Sequence, residues 1–401
     1  MLAGPRLDRF ESLDVLRGVA VLGILAINIQ AMAYPSMVFA NPTLNVDYFD
    51  DDGRRLWGIA SIFFQFKFIT IFSALFGAGV LLMVGEEKPT PRAGLHRRRM
   101  LWLLLIGSAH AYLIWFGDIL TPYAIAGFIV VFARRWKPRT LFTVGIVLIV
   151  VTFLTFIGQH YFLEAATPEE RAAFMKQMWA PPQDVIDAEA AKYKLGFFER
   201  LPQTAPTSLL FQAIQSIMLS PRTIGVMMLG MALYKTGFFT LGWSARRYLA
   251  WGLVALAVGL AGSAYATMEF LRVEFDMLEV ASGQYVQYWA SLLHAFGYSA
   301  LIMAACKPSV LSLLRKPFAA AGRMALTNYL MSSIIGAYLY YGPPGRGLIA
   351  TQGYGEVAVT MLIVWAAMLV WSPIWLSLFR FGPFEWAWRS LTYWRLQPVF
   401  R

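Results

Sequence analysis

Residues 14–36 read DVLRGVAVLGILAINIQAMAYPS, and between Arg17 and Pro35 the only strongly polar side chains are Asn28 and Gln30. An apolar run of about 20 residues is long enough, as a helix, to cross a hydrocarbon core of roughly 30 Å. Similar runs recur along the whole chain. Of 401 residues 58% are hydrophobic and 14% charged, whereas soluble chains average about 25% charged. So little polar surface excludes a soluble enzyme, a disordered chain and a disulfide scaffold; Cys306 stands alone and is read as a small packing residue. The fold class expected is an all-α, polytopic transmembrane bundle, a single integral membrane domain over 1–401.

About ten spans can be placed: 14–36, 57–84, 100–117, 119–133, 140–158, 206–234, 249–270, 288–305, 324–341 and 357–379. The sixth is interrupted at Ser220-Pro221-Arg222. Most of the 34 Lys and Arg residues fall in one alternate set of loops, with both termini, and such loops face the cytoplasm. The net charge of +11 is therefore a topology signal, and no nucleic-acid partner is expected. The first apolar run is long enough to be retained as a span, so no cleaved leader is expected. Residues 160–205 form an extracytoplasmic amphipathic excursion, where Thr167-Pro168-Glu169-Glu170 has the pattern of a capped helix start. Residues 380–401 form a cytoplasmic tail with Trp and Arg at the lipid boundary. The patches Gly107-Ser108 and Gly252, Gly259, Gly262 suit close helix packing, within the chain or in a homodimer.

Ionisable residues inside spans are costly and mark function. Asp14 and Arg17, three residues apart, share a helix face and can pair. Asn28 lies eleven residues after Arg17, on the same face and about 16 Å deeper. Arg17 and Asn28 are thus either a polar stripe or, respectively, a flanking cation and a helix–helix hydrogen bond. His110 falls about halfway along its span, as a general base, a proton carrier or a structural histidine. Asp118 lies eight residues on, past Gly117 where the helix is expected to end; it is not quite on the same face and is about 12 Å away axially, so no direct contact is expected and Asp118 is read as capping the next helix. Lys67 either snorkels outward or faces a polar cavity. Arg222, with Gln212 and Gln215, marks the broken sixth helix. Asn328 and Tyr329, with Arg323, Thr327, Ser332 and Ser333, make the ninth span polar enough to line a cavity, or to be bonded to neighbouring helices. His294 is a weaker candidate than His110, and His96 and His160 read as solvated. No nucleotide loop, HExxH, CxxC or GxSxG motif is present, and no metal site is expected.

The segments SLDVLRGVAVLGILAINI (12–29), KFITIFSALFGAG (67–79), HAYLIWFGDILTPYA (110–124), GRMALTNYLMSS (322–333) and GPFEWAWRSLTY (382–393) resemble, in order, the YeiB family of the bacterial inner membrane, domain of unknown function 418. LDVLRG, with a polar residue eleven positions after its arginine, is also similar to the integral-membrane acyltransferases. That wider resemblance implies a transmembrane-acyltransferase-like fold and a cytoplasmic acyl-CoA as co-substrate, with no permanently bound cofactor. In the O-acyltransferase group the residue at position 28 is the histidine taken as catalytic. In the heparan-glucosaminide N-acetyltransferase group it is asparagine, with a histidine soon after. This chain has Asn28 and no histidine between 28 and 95. The resemblance then implies that Arg17 and Arg97–Arg99 hold the donor's phosphates, Asn28 the thioester carbonyl, and His110 the acceptor's proton. The partners would be membrane lipid and small acyl donors and acceptors. A transporter or exporter of a small amphiphile is the alternative, with His110 and Lys67 coupling protons and the broken helix binding cargo. A third possibility is a non-catalytic lipid-binding scaffold.

Overall fold

The computed structural model describes residues 10–86 and 93–401. Those residues form helices joined by short turns, without a sheet. In order they are α1 (Glu11–Ala33), α2 (Ser36–Ala40), α3 (Asp51–Phe63), α4 (Lys67–Val84), α5 (Ala93–Leu113), α6 (Leu120–Val130), α7 (Pro138–Ala165), α8 (Pro168–Phe174) and α9 (Gln183–Lys194). There follow α10 (Phe197–Ile217), α11 (Ser220–Lys235), α12 (Ala245–Arg272), α13 (Val280–Ala305), α14 (Ser312–Arg323), α15 (Ala325–Tyr340), α16 (Tyr354–Leu378) and α17 (Pro383–Tyr393).

Every segment expected to span is helical. Among the described residues, five stretches are long and apolar enough to cross a bilayer: α1, α3–α4 taken together, α7, α12 and α16. Counting the bent pairs α10–α11 (51°) and α13–α14 (102°) brings the total to seven. The expected break at residues 220–222 is the α10–α11 bend. The long 57–84 segment is also broken: Phe66 takes a left-handed conformation (φ 65°) and α4 starts afresh at Lys67.

α1 is the central helix. Its apolar window is 72% buried, against 22% for α7 and for α16, whose remaining surface is the apolar face a membrane protein turns to lipid. Close approach sets the core. A Cβ on Gly18 would stand 1.9 Å from the Phe318 carbonyl oxygen, and one on Gly322 1.8 Å from that of Asp14, so α1 and α14 cross backbone to backbone. Small residues permit this where a hydrophobic driving force between helices is lacking. The patch Gly252, Gly259 and Gly262 is used within the chain, against Ala300, His294 and Ala290 of α13.

On one end of the bundle, α8 begins with the expected Thr167–Glu170 capping box. The segment after it folds back on the bundle: Trp179 donates its indole N–H to the Phe275 carbonyl (2.8 Å), and the Ser36 amide donates to Glu189 (3.0 Å). On the other end α17 packs against α5 and α15, so the tail belongs to the bundle.

Candidate functional site

A cavity of about 220 Å³ lies between α1, α4, α5, α6, α15 and α17. On α1 it is lined by Arg17, Val21 and Ile24, spaced four and three residues apart and so on one face. Asn28 is the next position on that stripe, half-buried and outside the lining. Phe72, Leu75, Phe76 and Leu103 make the walls apolar.

Charge collects at one end. The Arg17 guanidinium donates to Asp14 (2.9 Å), the pair expected from their spacing. Arg99 lies over the Trp388 ring at 4.3 Å, and the Trp388 indole donates to the Arg99 carbonyl (3.0 Å). Of Arg97–Arg99 only Arg99 lines the cavity. Glu385 of α17 locks this rim by accepting from the amides of Leu326 (2.7 Å) and Thr327 (3.0 Å) at the start of α15. A carboxylate there satisfies first-turn amides and opposes the helix dipole. The sequence reading set the Trp residues of the 380–401 tail, Trp388 among them, at the lipid boundary and passed over Glu385; a lone acid in an aromatic tail was the available signal.

At the other end are Ile119, Tyr123 and Tyr329. Behind Tyr329 lies His110, its ring centre 5.2 Å away. His110 Nδ1 is 2.9 Å from Asp118 Oδ1, and both side chains are fully enclosed. This overturns the expected separation. α5 ends at Leu113 and the chain doubles back, so the helical rise that would have parted them is never accumulated. Asp118 also caps α6 as expected, accepting from the Thr121 amide (2.7 Å), while Gln212 donates to the Asp118 carbonyl (3.1 Å). Gly107 makes room: a Cβ there would sit 2.9 Å from Asp118 Oδ2.

An ionised aspartate only accepts hydrogen bonds, so it selects the tautomer in which His110 carries its proton on Nδ1. Nε2 is then a bare lone pair, buried and without a hydrogen-bond partner. Along α5, His110 falls between Leu103, which lines the cavity, and Ala111, which lines a narrow cleft with Trp115, Arg200 and Ser208.

The other candidates lie elsewhere. Asn328 donates to the Ala321 carbonyl (3.1 Å) and to Ser372 of α16 (3.0 Å), so it ties helices together. Lys67 does not snorkel: it is fully buried, its ammonium donating to the Ser61 carbonyl (2.7 Å), because the break at Phe66 turns it inward. Arg222 donates to Thr70 and to Ser291 of α13. His96 is not solvated; it is 2% exposed, with Nε2 3.0 Å from the Gly127 carbonyl oxygen. Among the described residues no cluster of side chains could hold a metal ion.

These features define a class, a helical membrane protein with an apolar chamber between a cationic rim and a buried His–Asp pair. The relatives narrow it. Residues 233–395 match the model of the protein of unknown function family DUF418. The chain is 30% identical to the uncharacterized protein YxaH of Bacillus subtilis (strain 168), covering 98% of this chain and 96% of that protein. It is 31% identical to the uncharacterized protein YeiB of Escherichia coli (strain K12), covering 96% and 97%. The chain belongs to the YeiB-like DUF418 family.

Proposed function

We propose that this protein is a transmembrane acyltransferase, moving an acyl group from a cytoplasmic acyl-CoA to a hydroxyl or amine acceptor at mid-membrane or the outer face. The reading rests on one observation: a histidine with an aspartate on one nitrogen and a free lone pair on the other, beside a chamber whose rim is cationic and whose walls are apolar. Guanidinium groups suit phosphates, and the chamber suits an acyl chain.

In the reaction, the acceptor oxygen or nitrogen bonds the thioester carbon while His110 Nε2 takes its proton. The C–S bond breaks, and the proton passes to the departing thiolate. Asp118 stabilises the imidazolium formed in between. Arg17 and Arg99 hold the donor's phosphates, and Tyr329 stands between His110 and the chamber. Asn28, next on the stripe of Arg17, Val21 and Ile24, is assigned to the carbonyl oxygen. The positive loops support an inner-membrane protein of about ten spans with both termini cytoplasmic.

The test uses inverted membrane vesicles containing the full chain, fed acyl-labelled acetyl-CoA. Label should move to a membrane or lumenal acceptor in wild type and fall at least 100-fold in His110→Ala, within the range for a lost general base. Wild-type transfer by a folded His110→Ala overturns the proposal. Proton-dependent accumulation of an amphiphile without thioester consumption would establish the transporter instead, a reading favoured by the bend between α10 and α11.

A further inference from the structure

A second polar cluster lies apart from the chamber, at the break between α3 and α4. Lys67 donates to the Ser61 carbonyl (2.7 Å), which also accepts from Gln287 of α13 (3.2 Å). About one turn along the same two helices, Arg222 bridges Thr70 of α4 and Ser291 of α13, both at 3.2 Å. Gln287, Ser291 and His294 are four and three residues apart, so one face of α13 meets both cations.

The cluster holds two cations and no carboxylate, and its unpartnered acceptors are neutral ones, Gln287 Oε1 and one nitrogen of a neutral His294. Among the described residues, no carboxylate comes within 4 Å of Lys67 or Arg222, since every ion pair found there involves other cations. Lys67 is fully buried with one of its three N–H groups used, and Arg222 Nε has no partner. Both nitrogens of His294 are also buried without a partner. Lys67 opens α4, and Arg222 lies in the first turn of α11, so each cation sits at a positive helix end. Buried cations without a carboxylate are costly, and here two of them lie at the first turns of two helices.

A phosphate resolves that imbalance, because its oxygens accept bidentately from arginine and at helix ends. Arg222 is the half-buried member of the pair, lying over the Phe66 ring at 5.9 Å and the Tyr288 ring at 5.2 Å, and Phe66 is 47% exposed. We propose that the α3–α4 break is a binding site for a phosphate group, held between Lys67 and Arg222. The site is independent of acyl transfer at His110, and its test reads binding alone.

The experiment is a thermal melt of the delipidated full chain in detergent, titrated at constant ionic strength with inorganic phosphate, dioleoylphosphatidylglycerol or dioleoylphosphatidylcholine. Saturable stabilisation of wild type is expected. It should be lost in Lys67→Met with Arg222→Gln and partly kept in Arg222→Lys, which tests the charge if the double variant does not fold. A rise with either phospholipid but not with inorganic phosphate identifies a lipid head group; a rise with inorganic phosphate as well identifies any phosphate. No rise with any probe, or an equal rise in the folded double variant, overturns the proposal.

Discussion

Replacing Asp118 by asparagine separates its two tasks. The side-chain oxygen can keep the Thr121 amide, now 2.7 Å from Oδ2. The amide nitrogen then faces His110 Nδ1, now 2.9 Å from Oδ1. A donor in that place requires Nδ1 to be the acceptor, so the proton moves to Nε2 and the free lone pair is lost. Hydrogen bonds to charged groups are worth about 1.5–3 kcal/mol and neutral ones about 0.5–1.5, so two weakened bonds should cost about 2 kcal/mol. Asp118→Ala removes both acceptors and leaves the His110 Nδ1–H and the Thr121 amide buried without partners, at a cost of about 1–3 kcal/mol each. Activity should fall in Asp118→Asn by about 10²–10⁴, the contribution of a general base. The assay is ¹⁵N NMR of histidine-labelled protein in lipid discs, tractable because the chain has four histidines. One resonance should switch from the Nδ1-protonated to the Nε2-protonated pattern. A folded variant that keeps the wild-type tautomer, or wild-type activity, refutes the reasoning.

Three further outcomes follow from the geometry. Gly107→Ala drives a methyl against Asp118 and Thr121, 2.5 Å from the Thr121 amide nitrogen; an overpacking cost of about 1–3 kcal/mol should appear as a lower melting temperature with reduced transfer. Arg99→Ala removes a rim cation and its stacking on Trp388, and should weaken acyl-CoA affinity about tenfold or more, read by titration. Burial lifts the Glu385 carboxyl above the usual glutamate range, against the opposing pull of its bonds to Thr327 and Leu326. An acid whose folded value is raised loses stability as pH rises through the interval between its unfolded and folded values. Wild type should therefore lose stability relative to Glu385→Gln as pH climbs from about 4.3, the ordinary glutamate value, through the raised one; parallel melting curves would refute it.

The all-helical, apolar character was legible because apolar run length carries it, though not the count of about ten spans, since five to seven stretches of the described residues are long and apolar enough. Local pairs were legible because helix spacing carries them. Asp14–Arg17 and Thr167–Glu170 needed only positions three apart. What sequence spacing misjudged depended on where a helix stops. His110 and Asp118 meet because α5 ends at Leu113, four residues before the expected end of that span. Lys67 is buried because Phe66 adopts a positive φ inside an apolar run, where no glycine or proline marks a break. His96 sits among arginines yet packs on Gly127, a glycine whose carbonyl α5 reaches because α5 and α6 form a hairpin. Asn328 was open to two readings, lining a cavity or bonding neighbouring helices, and only tertiary packing shows Ala321 and Ser372 as its partners.

The most direct test is the thermal stability of the purified full chain against acetyl-CoA and longer acyl-CoAs. At about a hundred times the dissociation constant, a ligand that binds only the folded state adds about 2.7 kcal/mol. Saturable stabilisation that is retained in His110→Ala and lost in Arg17→Ala with Arg99→Ala is the predicted result, because the rim binds the donor and the histidine acts on the acceptor. No stabilisation of wild type by any acyl-CoA would contradict the account.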